Sequence, residues 1–219
     1  MGNEIIKLQK YIEKFLNGKS NIRNLEAGCG SASHVRFKND CLRVCIDISE
    51  KQLERNSGLN EKILGDIQYY KFLPKAFDVI ICWDVLEHIE KPTRVLNGFT
   101  DALRDNGILI LALPNVLSLK GLITKYTSHR FHILFYRYIK GNKNAGKNDI
   151  GPFKTYMSYS ISPNAITDFA HNKGLSVIYF DLYDGKTKSK RLIFKAYDFI
   201  NKYIFEYQGI LISLYFWGR

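Results

Sequence analysis

No stretch of this chain is apolar for long enough to cross a bilayer. A spanning helix needs about 18 or more apolar residues, and the last hydrophobic segment, Gly209 to Trp217, is far shorter. The first residues, Met1 to Lys10, carry charges and no uninterrupted apolar core, so no secretory signal is read there and a cytoplasmic protein is expected. Cysteine is sparse. Cys29, Cys41, Cys45 and Cys82 are spaced like neither a zinc knuckle nor a redox pair, and are expected to be buried, reduced thiols. Internal repeats and low-complexity segments are missing, which excludes a solenoid or a disordered array. Acid is scarce too: 32 Lys and Arg against 21 Asp and Glu give a net charge of +11. The shortage is local, because between Lys120 and Lys154 eight basic residues face the single Asp149. A second basic group, Lys186, Lys188, Lys190 and Arg191, follows. Such clusters fit an anionic partner (a phosphorylated or acidic substrate, a lipid surface or RNA) and equally fit solvated faces.

What is present suffices for one domain. The 219 residues, 46% hydrophobic and 14% aromatic, can bury a full core. Ile5, Leu8, Ile12 and Phe15 form a helical stripe over residues 1–17 that Asn17-Gly18 ends. Residues 20–113 alternate strand and helix patterns: Ile22 to Ala27, Leu42 to Ile46, Ile63 to Gly65, Val79 to Trp83 and Ile108 to Leu113 read as strands. A short helix is expected over Ala32 to Lys38, another after Asp47-Ile48-Ser49, and a third from Pro92 to about Arg104. Such alternation implies right-handed crossovers and an α/β, doubly wound sheet. Residues 114–160 break the pattern as a basic, aromatic insertion. Residues 161–219 return to it with a helix from Ser162-Pro163, a strand over Leu175 to Leu182, a helical stretch over Arg191 to Tyr207 and a last strand over Ile210 to Phe216.

The segment Asn24-Leu25-Glu26-Ala27-Gly28-Cys29-Gly30-Ser31-Ala32 is the organising point. A strand ends on an acidic residue and enters two glycines, where the backbone can approach a ligand closely. Asp47, about 20 positions on at the tip of the second strand, is placed to accept from ribose hydroxyls. Asp66 closes the third strand. Together with Trp83-Asp84-Val85-Leu86-Glu87-His88 after the fourth strand and Asn106-Gly107 before the fifth, this ordered set resembles class I S-adenosylmethionine-dependent methyltransferases, clearest between Ile22 and Asn115. The resemblance implies a Rossmann-like seven-stranded sheet, mostly parallel with the last strand antiparallel, and a substrate lid after strand five.

It also implies the cofactor S-adenosylmethionine, with S-adenosylhomocysteine as product, held by Glu26, Ala27, Gly28, Gly30, Asp47, Ile48, Asp66 and Ile67, with Trp83 lining the pocket. The residues agree with that choice. The third glycine of a dinucleotide fingerprint is missing, with Ser33 in its place, and Glu26 would repel a pyrophosphate but attract an ammonium or sulfonium; Ala32 stands where the resembled family usually has a third glycine of its own.

Methyl transfer from a sulfonium is an in-line displacement that needs alignment, plus a base for a hydroxyl acceptor. The base candidates are His88, His129 and His132. Arg130 and Arg137 are candidates to clamp an anionic acceptor. No metal site is expected, although Asp84, Glu87 and His88 resemble the acidic-x-x-Glu-His set that holds a divalent ion in ubiquinone-type O-methyltransferases. Leu113-Pro114-Asn115-Val116 and the basic lid resemble members acting on an oxygen of sugar or polysaccharide precursors. A quinone or lipid acceptor at a membrane surface, approached through the amphipathic Lys190 to Tyr207, is the alternative, with localisation peripheral to the inner membrane face. An RNA methyltransferase is disfavoured, because Cys82-Trp83-Asp84-Val85 lacks the Asn/Asp-Pro-Pro-aromatic pattern and no RNA-binding module is visible. A non-catalytic cofactor-binding protein remains a further alternative.

Overall fold

The computed structural model describes residues 2–37, 41–147, 150–183 and 209–216. The basic group at Lys186 to Arg191 and the stretch Lys190 to Tyr207 lie outside them, as does Asp149. Seven strands form one sheet: β1 (Ile22–Ala27), β2 (Cys41–Asp47), β3 (Glu61–Leu64), β4 (Phe77–Trp83), β5 (Leu103–Pro114), β6 (Leu175–Tyr183) and β7 (Gly209–Phe216). Their order is β3-β2-β1-β4-β5-β7-β6. The first five pair in parallel, and β7 runs antiparallel to both β5 and β6. This is the doubly wound, mostly parallel sheet that the sequence predicts, with its last strand reversed.

The central strands are apolar on both faces because both are covered. Ile80 and Cys82 of β4 and Leu109, Leu111 and Leu113 of β5 point to one core, shared with Val95, Leu96 and Phe99 of helix α3 (Pro92–Ala102). Val79, Ile81 and Trp83, with Ile108, Ile110 and Ala112, point to the other, closed by Leu8 and Ile12 of helix α1 (Gly2–Phe15). Helix starts follow capping chemistry. Ser49 accepts from the Gln52 amide ahead of α2 (Glu50–Arg55), and Ser162 accepts from Ala165 ahead of α6 (Pro163–Asn172). At the edge of the sheet opposite the glycine loop, Asp78 Oδ2 accepts from the Arg23 amide at 2.8 Å and from Arg104 Nη1 at 2.7 Å, which ties β1, β4 and β5 together.

Two expectations fail. Residues 32–37 form turns and bends, with no helix. Serines at 31 and 33 favour local side-chain bonding over helix, and the amides are taken elsewhere: His34 N donates to Glu26 Oε1 at 3.2 Å and Arg36 N to Gln9 Oε1 at 3.1 Å. The cysteines are also not four free thiols, since Cys29 and Cys45 are disulfide-bonded while Cys41 and Cys82 are free. The strand register places Cys45 opposite Glu26, which brings the glycine loop back over β2.

The insertion after β5 is helical, with α4 (Leu119–Tyr126), α5 (His129–Leu134) and a wide π turn over Phe135–Ile139. Its entry is set by Ser118, which is fully buried, donates to Asn115 O at 2.7 Å and accepts from Gly121 N at 3.0 Å. Gly121 has no room for a side chain, since a Cβ there would collide with the Asn115 carbonyl. Ser118→Ala should therefore lower stability by about 1–2 kcal/mol, read by chemical denaturation. An unchanged denaturation midpoint would show that the cap does not hold the lid entry.

Candidate functional site

The predicted cofactor residues gather at the carboxyl ends of β1, β2, β3 and β4. The loop after β1 turns on two left-handed glycines, Gly28 at φ +69° and Gly30 at φ +54°. Gly28 is required twice over, because a Cβ there would also collide with Val85 in the loop after β4. Its amide donates to Ile46 O at 2.8 Å, and the Gly30 amide donates to Asp47 Oδ2 at 3.0 Å. The other Asp47 oxygen accepts from Ser49 N at 2.9 Å, and the Asp47 carbonyl accepts from Gly65 N at 2.9 Å. One residue thus joins the glycine loop, the start of α2 and the end of β3. Ile48 beside it is 76% exposed, an apolar surface held next to a carboxylate. Asp66 accepts from Gln68 N at 2.8 Å, shaping the turn that buries Ile67.

These bonds separate two cofactor chemistries. A pyrophosphate needs free amides and a helix N-terminus after the loop. Here the Gly28 and Gly30 amides are spent on β2, and no helix follows. Glu26, 2% exposed, adds negative potential. Its carboxyl is pushed up by burial, against the pull of Ser33, the His34 amide and Arg43. The residues fit a cofactor carrying a ribose and a cationic end.

Trp83 is 3% exposed and stacks on His34, rings 4.9 Å apart and 2° from parallel, with its Nε1 buried and unpartnered. His34 was not legible as a site residue, because the segment holding it reads as helix in sequence. Val85 carried no signal of its own either.

The loop after β4 meets the lid. Asp84 adopts φ +52° and is exposed, and a 3₁₀ turn over Leu86–His88 follows. The Glu87 carbonyl accepts from Tyr156 N at 2.8 Å and Met157 N at 3.2 Å, which clamps the returning segment of the lid. The Glu87 side chain is buried with Oε2 unpartnered, and burial, reinforced by Asp84, pushes its carboxyl up to about 8. His88 Nδ1 lies 2.7 Å from Lys154 O, so the carbonyl fixes the proton on Nδ1 and leaves Nε2 as the basic nitrogen. Burial lowers the pKa of His88, with the Lys154 bond opposing and His129 adding to the lowering.

Among the described residues no group of three His, Cys, Asp or Glu has metal-holding geometry. In the Asp84–Glu87–His88 set, the bond from His88 Nδ1 to Lys154 O leaves Nε2 as the nitrogen that could serve as a ligand.

The lid residues are differently placed. Thr127 Oγ1 donates to Ile123 O, so His132 Nε2, 2.6 Å from the same oxygen, must donate its own proton to it. His129 Nδ1 is buried without a partner. Arg137 Nε donates to Ala145 O at 3.0 Å, bracing the loop beyond the π turn, whereas Arg130 is exposed.

Residues 25–111 match the family model described as "Methyltransferase domain". An uncharacterised protein of Methanocaldococcus jannaschii is 32% identical over 108 residues, 49% of this chain and 47% of that protein. The mitochondrial ubiquinone biosynthesis O-methyltransferase of Saccharomyces cerevisiae is 28% identical over 134 residues, 56% of this chain and 42% of that protein. The chain thus spans less than half the length of these curated relatives. The crystal structure of a SAM-dependent methyltransferase from Archaeoglobus fulgidus shares the fold, with TM-score 0.57 and 16% identity, covering 97% of this chain and 92% of that one.

The raised Glu87 carboxyl has a consequence for stability. Its neutral form stabilises the fold fully below its ordinary value of 4.5, and that contribution is lost as pH rises through about 8. The melting temperature should fall across this window, and Glu87→Gln, neutral throughout, should flatten the fall. Parallel pH profiles for the two proteins would show that Glu87 ionises normally.

Proposed function

We propose that the protein transfers a methyl group from S-adenosylmethionine to an oxygen of an amphipathic acceptor presented beneath the basic lid. The observation that carries the cofactor half is the self-satisfied glycine loop, whose amides serve Asp47 and β2 instead of a phosphate. In this reading Asp47 accepts from the ribose, Ile48 and Ile67 flank the adenine, and Asp66 accepts from its amino group. Glu26 balances the ammonium, with Ala27 and the two glycines giving close backbone approach and Trp83 walling the methionine side. The sulfonium supplies an already activated methyl group, so the protein's task is alignment and proton removal. His88 Nε2 takes the hydroxyl proton, its orientation fixed by Lys154. His129 is the second candidate for that proton, and His132, tied to Thr127, braces the lid.

The acceptor half rests on the lid's surface. Tyr126, Phe131, Leu134, Tyr138, Ile139 and Phe153 are all exposed, between 46% and 78%. They alternate with Lys and Arg along a segment whose single acid is Asp149. Exposed apolar surface rimmed by cations fits an amphipathic, lipid- or phenol-like acceptor at an anionic membrane face. The ubiquinone O-methyltransferase relatives fit the same reading. The sugar-precursor acceptor expected from Leu113–Val116 has no such support. No helix among the described residues is long and apolar enough to cross a membrane, so the contact in this reading is peripheral.

Two measurements test the two halves. Titration calorimetry should show micromolar binding of S-adenosylmethionine and none of NAD, with Asp47→Ala weakening it by about tenfold, the loss of roughly one charge-assisted hydrogen bond. NAD binding, or no effect of the substitution, would overturn the cofactor assignment. Co-sedimentation with phosphatidylglycerol vesicles, against neutral phosphatidylcholine ones, should fall for Phe131→Ser/Tyr138→Ser. Binding confined to RNA, steeply salt-dependent, would replace the lipid reading with a nucleic-acid one.

A further inference from the structure

The disulfide lies inside the proposed cofactor site. Cys29 is the residue between Gly28 and Gly30, and Cys45 sits on β2 two positions before Asp47. Three ties hold the loop to that strand: Gly28 N to Ile46 O, Gly30 N to Asp47 Oδ2, and the covalent bond between them. Beyond Gly30 the chain has no regular structure to fall back on, since residues 31–37 form no helix. Both cysteines are buried, at 2% and 0% exposure, against Leu53 and Leu59 at the foot of α2. The bond therefore fixes the backbone that must approach the cofactor and the strand that presents the ribose carboxylate.

We infer that the Cys29–Cys45 pair is a thiol–disulfide exchange site whose oxidation state sets cofactor affinity, the oxidised form holding the glycine loop in its binding geometry and the reduced form releasing it. The inference rests on the proposed cofactor site. A dithiol reductant attacks one sulfur as thiolate and forms a mixed disulfide. Its second thiol then resolves that bond, so two electrons and two protons pass to the pair and the reductant leaves as a disulfide. A low-molecular-weight disulfide such as glutathione disulfide reverses the step, taking the same two electrons. Because both sulfurs are buried, exchange requires the loop to lift from β2. A bound cofactor opposes that motion and shields the bond. The two effects are one coupling seen from both sides: reduction weakens cofactor binding by the factor by which cofactor disfavours reduction.

Wild type carries the test in three readouts, and Cys45→Ala adds a fourth. Thiol titration of the denatured protein, quenched after exposure to glutathione disulfide, should find two free thiols, and four after dithiothreitol. Four in both conditions would overturn the pairing. Hydrogen exchange at the Gly28 and Gly30 amides, measured with no cofactor added, should quicken by about tenfold on reduction, and unchanged exchange would overturn the latch. S-adenosylhomocysteine should bind about tenfold more weakly to the reduced protein and, at saturation, should lower the equilibrium constant for its reduction, read against a dithiothreitol redox buffer, by the same factor. Equal affinity in both states would overturn the coupling. Cys45→Ala should sit at the weaker affinity and ignore dithiothreitol; a variant as tight as the oxidised protein would likewise count against the bond. Absence of binding in both states would overturn the cofactor assignment and, with it, the link to affinity, whereas the amide exchange reports on the loop by itself.

Discussion

The carboxylate of Asp47 is the constraint on which the candidate site depends. It accepts one amide from the glycine loop and one from the start of α2, while its own carbonyl holds the end of β3. Hydrogen bonds to a charged acceptor contribute about 1.5–3 kcal/mol each, enough to keep a loop with two left-handed glycines in one shape. The same bonds decide what the loop can receive. An amide already facing a carboxylate has little to give a phosphate, and a phosphate would meet Asp47 and Glu26 at close range. In the proposed reading, the negative potential that organises the loop also favours a cationic ligand.

The lid solves a different electrostatic problem. Asp149 is its single acid in sequence, Lys120 lies near the Asp84 and Glu87 carboxylates of the loop after β4, and among the described residues no ion pair ties the segment down. Backbone carbonyls do so instead. Lys125 Nζ donates to Met157 O at 2.7 Å and lies over the Tyr159 ring, Arg137 reaches Ala145 O, and the Glu87 carbonyl takes two amides from the returning chain. Helix caps from Ser118 and Ser128 set the two helix starts. Bonds to carbonyls leave the positive charge uncancelled, so the lid keeps its electrostatic character while being firmly attached.

The sheet was legible because its central strands are apolar on both faces and their connections are short. Val79 to Trp83 and Ile108 to Leu113 admit no other placement. The placement of Asp47 and Asp66 at strand ends after a glycine loop was legible. Three features were not. Ala32 to Lys38 has enough helix formers to read as a helix, yet Glu26 and Gln9, distant in sequence, capture its amides. The Cys29–Cys45 bond depends on parallel register between β1 and β2, which no cysteine spacing encodes. The roles of the histidines depend on a single carbonyl or hydroxyl each: Lys154 for His88, and Thr127 for His132. Each failure is a tertiary partner overriding a local pattern.

Glu26 shows how these overrides combine. As folded, it is buried beneath the segment that fails to be a helix, accepting from His34, whose ring stacks on Trp83. Burial makes its charged form costly, which raises its pKa. A cation arriving beside it removes that penalty, so binding strength at this carboxylate depends on how completely the segment excludes water. That segment is continuous with the disulfide-anchored glycines at one end and hydrogen-bonded to α1 at the other. A helix in this stretch would satisfy its own amides and leave Glu26 open to solvent. The irregular segment instead takes its bonds from the acidic residue and the N-terminal helix, and in doing so places the carboxyl that the proposed reading sets against the cofactor's ammonium in a dry environment, where its charge acts most strongly.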